Sequence, residues 1–298
     1  MEILDAQLHI WEDRSRRHYS GPWDENFVFD WGTTWTIERA IASMDAVGVD
    51  AAVVALPPNY RTTRADGHHR YDSGYAREAV LRHPHRFGYV AHHDHHDPEI
   101  DALLAATLAH PGALGTRVLV RSPGEWRDFE AGLFTPYFAA AERHGVPLMI
   151  FVSGRPAEAA KIARAHPDLN LIIDHLGLKQ PPRMVPDAEP FRQLPDLLAL
   201  AQFPNVSVKV TGMPGLSREP WPWNDLWPHY ARLIDAFGIE RLIWGSDITR
   251  VAELMSYADA LGYLKHTTRL SASDRAKLLG GNLRRILNWR GALGPAGS

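Results

Sequence analysis

Cysteine is absent from this 298-residue chain. That excludes disulfides, thiolate nucleophiles and cysteine-ligated zinc or iron–sulfur centres, so any metal site must be built from histidine, carboxylate or amide. Long apolar runs are absent too, none approaching the roughly 20 residues a membrane helix needs. The opening Met-Glu-Ile-Leu-Asp has neither the basic start nor the apolar core of a signal peptide, and the expectation is a soluble, cytoplasmic protein. Charge of one sign is not in excess: 32 Lys and Arg face 35 Asp and Glu, for a net charge of -3. Nothing electrostatic therefore calls for nucleic acid or an anionic membrane as partner, and a small molecule is the expected one. There is no internal repeat and no low-complexity stretch.

What is present is an alternation of short apolar runs with helical segments. Candidate strands are Ile3–Ile10, Ala51–Leu56, Phe87–Ala91, Ala113–Val120, Pro147–Val152, Leu169–His175, Val206–Thr211 and Leu242–Asp247. Several are near-continuous aliphatic runs, as expected of strands covered on both faces. Between them, Ile37, Ala40, Ile41, Met44 and Val47 follow helical spacing up to Gly48. Thr135-Pro136 reads as an N-cap and first helical residue, closed by Gly145. Leu226, Tyr230, Leu233, Ile234 and Phe237 form a stripe stopped by Gly238, and Ser271 with Asp274 resembles a capping box. Eight such alternations predict an α/β fold, a (β/α)₈ TIM-like barrel. A doubly wound open sheet often carries a glycine-rich phosphate turn after an early strand, and none follows Ile10 or Leu56. The expected organisation is one barrel domain over residues 1–290 and a flexible tail at 291–298.

Two long loops leave strand ends on the face where barrel active sites are built. Glu12–Trp35 carries Trp23, Phe27, Phe29, Trp31 and Trp35, and Gly212–Asn224 carries Trp221 and Trp223. They read equally as lids over an apolar substrate or as caps that pack on the barrel or on another subunit, which leaves a homo-oligomer open.

Four strand ends supply polar groups suited to hydrolysis: Asp5, Gln7 and His9 on the first, Asp174 and His175 on the sixth, Lys209 on the seventh and Asp247 on the eighth. Residues two apart on a strand share a face, so Gln7 and His9 point the same way. Histidines and a carboxylate converging at one barrel mouth suit a divalent ion such as zinc, and Asp247 is the natural general base or combined base and ligand. Tyr75, ahead of the next helix, is a further candidate for the pocket. The run His92-His93-Asp94-His95-His96 reads as a solvated rim loop from which one residue, His93, reaches the site, and His68-His69 reads as surface.

Taken in order, Asp-Ala-Gln-Leu-His-Ile-Trp (5–11), Gly-Thr-Arg (115–117), Ile-Asp-His-Leu-Gly (173–177), Val-Lys-Val-Thr-Gly (208–212), Trp-Gly-Ser-Asp (244–247) and Gly-Gly-Asn-Leu-Arg-Arg-Ile-Leu (280–287) cover essentially the whole chain. Together they resemble the amidohydrolase-related (amidohydrolase 2) branch of the amidohydrolase superfamily, which includes sugar-acid lactonases and pyrone-dicarboxylate lactonase. The resemblance implies a barrel hydrolase with its site at the C-terminal face. It makes His9 and His175 metal ligands or carbonyl polarisers and Asp247 the residue that activates water, and also a ligand if a metal is bound. Arg117, Lys209 and Arg250 would be contacts for a carboxylate or hydroxyl of the substrate, with Gln7 beside them.

The departure is Gln7, where a two-histidine site would read His-x-His. An amide oxygen is a weaker ligand for a borderline metal than imidazole, so a divalent ion, zinc or manganese, is expected to be weakly held or absent. The leading expectation is hydrolysis of a lactone or cyclic ester by water attack with Asp247 as base. One alternative is metal-dependent, non-oxidative decarboxylation of an aromatic or enoic acid; another is a barrel that binds a ligand without catalysis.

Overall fold

All eight expected strands form, and they pair in parallel in chain order: β1 (Leu4–Leu8), β2 (Ala51–Ala55), β3 (Phe87–Ala91), β4 (Ala113–Val120), β5 (Leu148–Val152), β6 (Leu171–Ile173), β7 (Val206–Lys209) and β8 (Leu242–Ile243). The structure, a computed structural model, describes residues 1–11, 35–56, 61–65, 67–180, 188–252 and 254–290. The last strand returns to the first through Ala6 N–H to Trp244 O (3.3 Å) and Asp247 N–H to Gln7 O (3.1 Å), which close the ring into a (β/α)₈ barrel. A short antiparallel hairpin, Arg61–Thr63 with His69–Tyr71, is inserted after β2. The expected tail at 291–298 lies outside the described residues.

Alternation sorts the strand side chains into two apolar layers. Leu8, Val54, Tyr89, Ile150, Ile173 and Val208 face the surrounding helices. Leu4, Ala6, Val53, Val90, Met149, Ile172 and Ile243 fill the interior with Leu283, Ile286 and Trp289. The Gly280–Leu287 motif thus plugs the strand-start end of the barrel. Asn282 Nδ2 anchors it by donating to the carbonyls of Ile239 (2.7 Å) and Leu242 (2.8 Å). With that end sealed, the polar strand ends open only at the other.

The helix signals hold with one shift. Gly48 takes the left-handed conformation after Ile37–Val47, and Ser271 Oγ accepts from Asp274 N–H. Thr135 is not the cap but the first residue of Thr135–Arg143, because its N–H closes a turn onto Gly132 O (3.0 Å) and leaves Phe134 at the cap. In the Gly212–Asn224 loop, Trp223 is buried edge-on against Tyr263 at 5.2 Å, so it packs on the outer layer, while Trp221 is exposed. Trp23, Phe27, Phe29 and Trp31 lie outside the described residues; Trp35 is buried and pairs its backbone with Trp11.

Gly115 shows why the Gly-Thr-Arg motif needs glycine. A Cβ there would come within 2.5 Å of the Pro147 carbonyl oxygen, the same oxygen that accepts from Thr116 N–H at 2.8 Å. Gly115→Ala should therefore push β4 off β5 and lower stability by about 1–3 kcal/mol, read as an earlier urea midpoint with an unchanged slope. An unshifted midpoint would mean the strands separate freely at this point.

Candidate active site

The first strand reaches the barrel mouth with its alternation reset. Leu4 and Ala6 face the interior, yet so do Gln7 and His9, because the β1–β2 register slips between Asp5 and Leu8. Bulges of this kind re-aim side chains beside active sites. Asp5 therefore does not join Gln7 and His9, as strict alternation would require. It is buried on the helix side, where it accepts from Ser246 N–H (2.8 Å), the Ser246 hydroxyl, Tyr257 Oη (2.7 Å) and Gln7 N–H (2.9 Å). Asp5 stitches β1 to the turn that carries Asp247.

The interior side chains form one continuous polar chain. Asp174 sits at its centre, its Oδ1 2.9 Å from Lys209 Nζ and its Oδ2 2.6 Å from Arg117 Nε. Lys209 Nζ also donates to Gln7 Oε1 at 2.5 Å, which fixes the amide: the reverse orientation would set an NH2 group against an ammonium. Gln7 Nε2 is consequently the atom that meets His9 Nε2, at 3.2 Å. The other ring nitrogen, His9 Nδ1, is 2.6 Å from the Ala55 carbonyl, which can only accept. A neutral His9 thus carries its proton on Nδ1 and its lone pair on Nε2, and Nε2 lies 3.5 Å from Asp247 Oδ1.

Asp247 and His175 are held by unusual backbone. Asp247 has φ 54°, and His175, Leu176 and Gly177 have successive φ values of 51°, 61° and 64°. Left-handed non-glycine residues of this sort cost of order 1–3 kcal/mol each and cluster at functional sites. They turn the chain at the strand ends so that both side chains face inward. Arg250 Nε binds Asp247 Oδ2, and Arg250 Nη2 meets Gln180 Oε1 at 3.4 Å, while Asp247 Oδ1 is buried with no hydrogen-bond partner among the described residues. Burial alone would raise the Asp247 pKa, but Arg250, His9 and His175 hold its carboxyl well below the usual carboxylate range. Asp174 is held down in the same way by Lys209, Arg117 and His175 against its burial. For His175 burial wins and the ring is pushed down to about 3, so it is neutral at physiological pH. Arg117 Nη2 approaches His175 Nε2 at 3.4 Å, which leaves the proton on Nδ1, a buried atom with no hydrogen-bond partner among the described residues.

Of the residues expected at the site, Gln7, His9, Arg117, His175, Lys209, Asp247 and Arg250 are brought together. Lys209 is fully buried beneath Gln7, a floor and not a surface for substrate, and Arg250 is engaged with Asp247. Tyr75 is placed elsewhere: its hydroxyl accepts from Ile37 N–H (3.0 Å) at the start of the first helix. In the histidine run it is His92, not His93, that faces inward, since it continues the interior phase of Val90. His93 binds Thr107 Oγ1 (3.1 Å) in the helix layer. His92 is buried, its Nε2 has no hydrogen-bond partner among the described residues, and burial with Arg117 nearby pushes its pKa well down. It shares with Arg117 the wall of a cavity of about 240 Å³. His68 and His69 are partly exposed at the hairpin, with His69 N–H donating to Asp94 Oδ2 (2.6 Å). His92 is open to the same logic as Asp174 and Asp247, each being a polar residue directly after an apolar strand.

The donor set suits a divalent cation poorly. The oxygen Gln7 would offer is already bound to Lys209, and the amide N–H group points at His9 Nε2, where a metal bound to that ring would sit. Three cations, Lys209, Arg117 and Arg250, already face two carboxylates, Asp174 and Asp247. His9 Nε2 and Asp247 Oδ1 lie 3.5 Å apart, but the His9 nitrogen would have to give up the Gln7 amide to bind an ion.

Comparison with known proteins agrees with this architecture. The amidohydrolase family model matches residues 4–289. The L-fucono-1,5-lactonase of Burkholderia ambifaria is 27% identical over 292 residues, covering 94% of this chain and 93% of that protein. A crystal structure of an amidohydrolase from Burkholderia multivorans with bound zinc superposes with a TM-score of 0.77 at 19% identity, over 97% of this chain and 99% of that one. The 5-carboxyvanillate decarboxylase of Novosphingobium aromaticivorans, complexed with manganese, superposes with a TM-score of 0.65 at 16% identity, over 96% of each chain. The two structural likenesses bear on the fold alone.

The buried neutral rings make stability depend on pH. His175 and His93 are pushed down to about 3 and about 4 by burial, whereas an unfolded histidine titrates near 6.5. Below about pH 6.5 the unfolded chain binds protons that the folded one refuses, so stability should fall on acidification from about pH 6.5 towards pH 4. Below about pH 4, Asp174 and Asp247, whose folded values are depressed, should add to the loss. Urea midpoints at constant ionic strength test this, and a flat profile between pH 6.5 and 4 would contradict the neutral, buried state of these rings.

Proposed function

This chain belongs to the amidohydrolase family, and on that premise we propose that it hydrolyses a small lactone or related cyclic ester. The observation that carries the reading is Asp247 Oδ1, a buried carboxylate oxygen without a hydrogen-bond partner among the described residues and 3.5 Å from the lone-pair nitrogen of His9. The His9 lone pair already takes the Gln7 amide N–H at 3.2 Å, so Asp247 Oδ1 is the acceptor left open, and a water bound to it beside His9 becomes a nucleophile whose proton Asp247 takes. Arg250 lowers the basicity of Asp247 but fixes its second oxygen, which keeps the first aimed at the water.

Across from this pair, His175 presents a neutral Nδ1–H, and Arg117 brings a guanidinium to the cavity wall. Donors preset towards developing negative charge are the main device of acyl-transfer sites. As water adds to the ester carbon, the carbonyl oxygen becomes an oxyanion held by His175 and Arg117. Collapse breaks the bond to the ring oxygen, which receives the proton held by Asp247. The excess of fixed cations favours that anion, and Arg117 also suits a hydroxyl or carboxylate on the substrate. The lactonase relative at 27% identity supports the substrate class. The amide orientation at Gln7 supports a weakly held or absent metal, with His9 and Asp247 as its ligands where one binds, and an ester is electrophilic enough to react on hydrogen bonds alone.

Asp247→Asn should lower kcat on a responsive lactone by about 10²–10⁴-fold with little change in KM, and wild-type turnover in H2¹⁸O should put the label in the product carboxylate. Near-wild-type activity would remove Asp247 from the reaction. Carbon dioxide release without label from an aromatic or enoic acid would replace hydrolysis by decarboxylation, and absence of turnover across lactones and esters would point to a ligand-binding barrel. Exhaustively chelated enzyme should keep its lactonase activity; complete loss restored by one divalent ion would show that a metal is required.

A further inference from the structure

A second constellation of donor groups lies away from Asp247, on the loop after β3. His95 Nε2 and His96 Nε2 both approach one oxygen, Asp128 Oδ2, at 3.1 Å each. The three donor atoms all fall within 4.8 Å of one another. The groups come from two elements, the histidines from the loop and Asp128 from the helix Pro123–Glu130.

Each group is held in place independently of the others. The His95 ring stacks on Phe134 with centroids 3.8 Å apart and planes 11° from parallel. Asp94 fixes the loop by accepting from His96 N–H (3.0 Å) and His69 N–H (2.6 Å). A capping box between Ser122 and Glu125 anchors the helix that carries Asp128. The His95 and His96 rings are only 4.0 Å apart. Two imidazolium ions at that separation would repel, so the rings meet Asp128 either as neutral N–H donors or as lone pairs that share one cation with the carboxylate. Tetrahedral zinc with bonds of about 2.0–2.1 Å sets its ligand atoms roughly 3.3 Å apart, close to the 3.1 Å from each ring to Asp128. Two imidazoles and one carboxylate make a donor set of borderline softness that selects zinc or its neighbours over magnesium or calcium.

We propose that His95, His96 and Asp128 bind one zinc-type divalent ion, with the remaining position open to water. The site lines the same cavity of about 240 Å³ as Arg117 and His92, so a bound ion would add positive charge on the approach to the barrel mouth. Metal found in the purified protein would then reside here and not at the reacting groups.

The test uses tag-free, full-length protein stripped with chelator and titrated with cobalt(II), read by the visible bands of low-coordinate cobalt and by displacement with zinc. One saturable site is expected. His96→Ala and Asp128→Asn should each weaken it by at least about 10–100-fold, the loss seen even for outer-shell partners of metal ligands. Both positions are partly exposed, and circular dichroism verifies that the variants fold. Asp247→Asn should leave the site intact. Absence of a saturable cobalt spectrum, its persistence in both His96→Ala and Asp128→Asn, or its loss in Asp247→Asn would each overturn the proposal.

Discussion

The contact on which the rest of the barrel mouth depends is the ion pair of Lys209 with Asp174, completed by Arg117. Lys209 and Asp174 are fully buried and Arg117 nearly so. Charges so placed are costly to desolvate, and removal of one partner from a buried pair typically costs about 3–5 kcal/mol because the other is stranded. Such a cluster is weak evidence for stability and better evidence for specification. It spans β4, β6 and β7, and through Lys209 it decides which end of the Gln7 amide faces the lone pair of His9. A group on the seventh strand thereby sets the chemistry available on the first.

Backbone geometry does the remaining positioning. A regular strand would have sent Asp5 inward with Gln7 and His9, placing a third carboxylate beside the first two. The register slip in β1 sends Asp5 outward instead, where it holds the Ser246–Asp247 turn. On the opposite wall three successive left-handed residues swing His175 inward, and a single one does the same for Asp247. The site is thus aimed by departures from ideal backbone, each anchored by hydrogen bonds to a neighbouring strand end.

That distinction explains what could be read from the chain. Periodicity and the aliphatic runs reported all eight strands, because two-sided burial writes itself into composition. Convergence of Gln7, His9, His175 and Asp247 follows from a closed barrel once the strand ends are located. A bulge leaves no local signature in the sequence, so strict alternation puts Asp5 on the face of Gln7 and His9, and an error of one residue in phase exchanges His92 for His93. Partnerships were the other blind spot. Whether Arg250 meets substrate or clasps Asp247, whether Lys209 faces a ligand or lies beneath Gln7, and whether Tyr75 lines a pocket or caps a helix all depend on contacts between distant elements.

Gln7 on the first strand and Lys209 on the seventh therefore act as one unit. A histidine at position 7 would set an imidazole against the Lys209 ammonium, a contact compatible with a neutral ring but not with a metal alongside it. The ammonium supplies, in fixed form and from beneath, positive charge that a divalent ion would supply from the mouth of the barrel. With Arg117 and Arg250 it leaves the site short of negative charge, a deficit that the oxyanion of the proposed hydrolysis would fill. A fixed cation needs no loading and has no open coordination position, so it can stabilise charge but cannot ionise a water. In the hydrolysis proposed above, that task falls to Asp247 beside His9, and the matching substrate is a carbonyl reactive enough to be attacked without a metal-bound hydroxide.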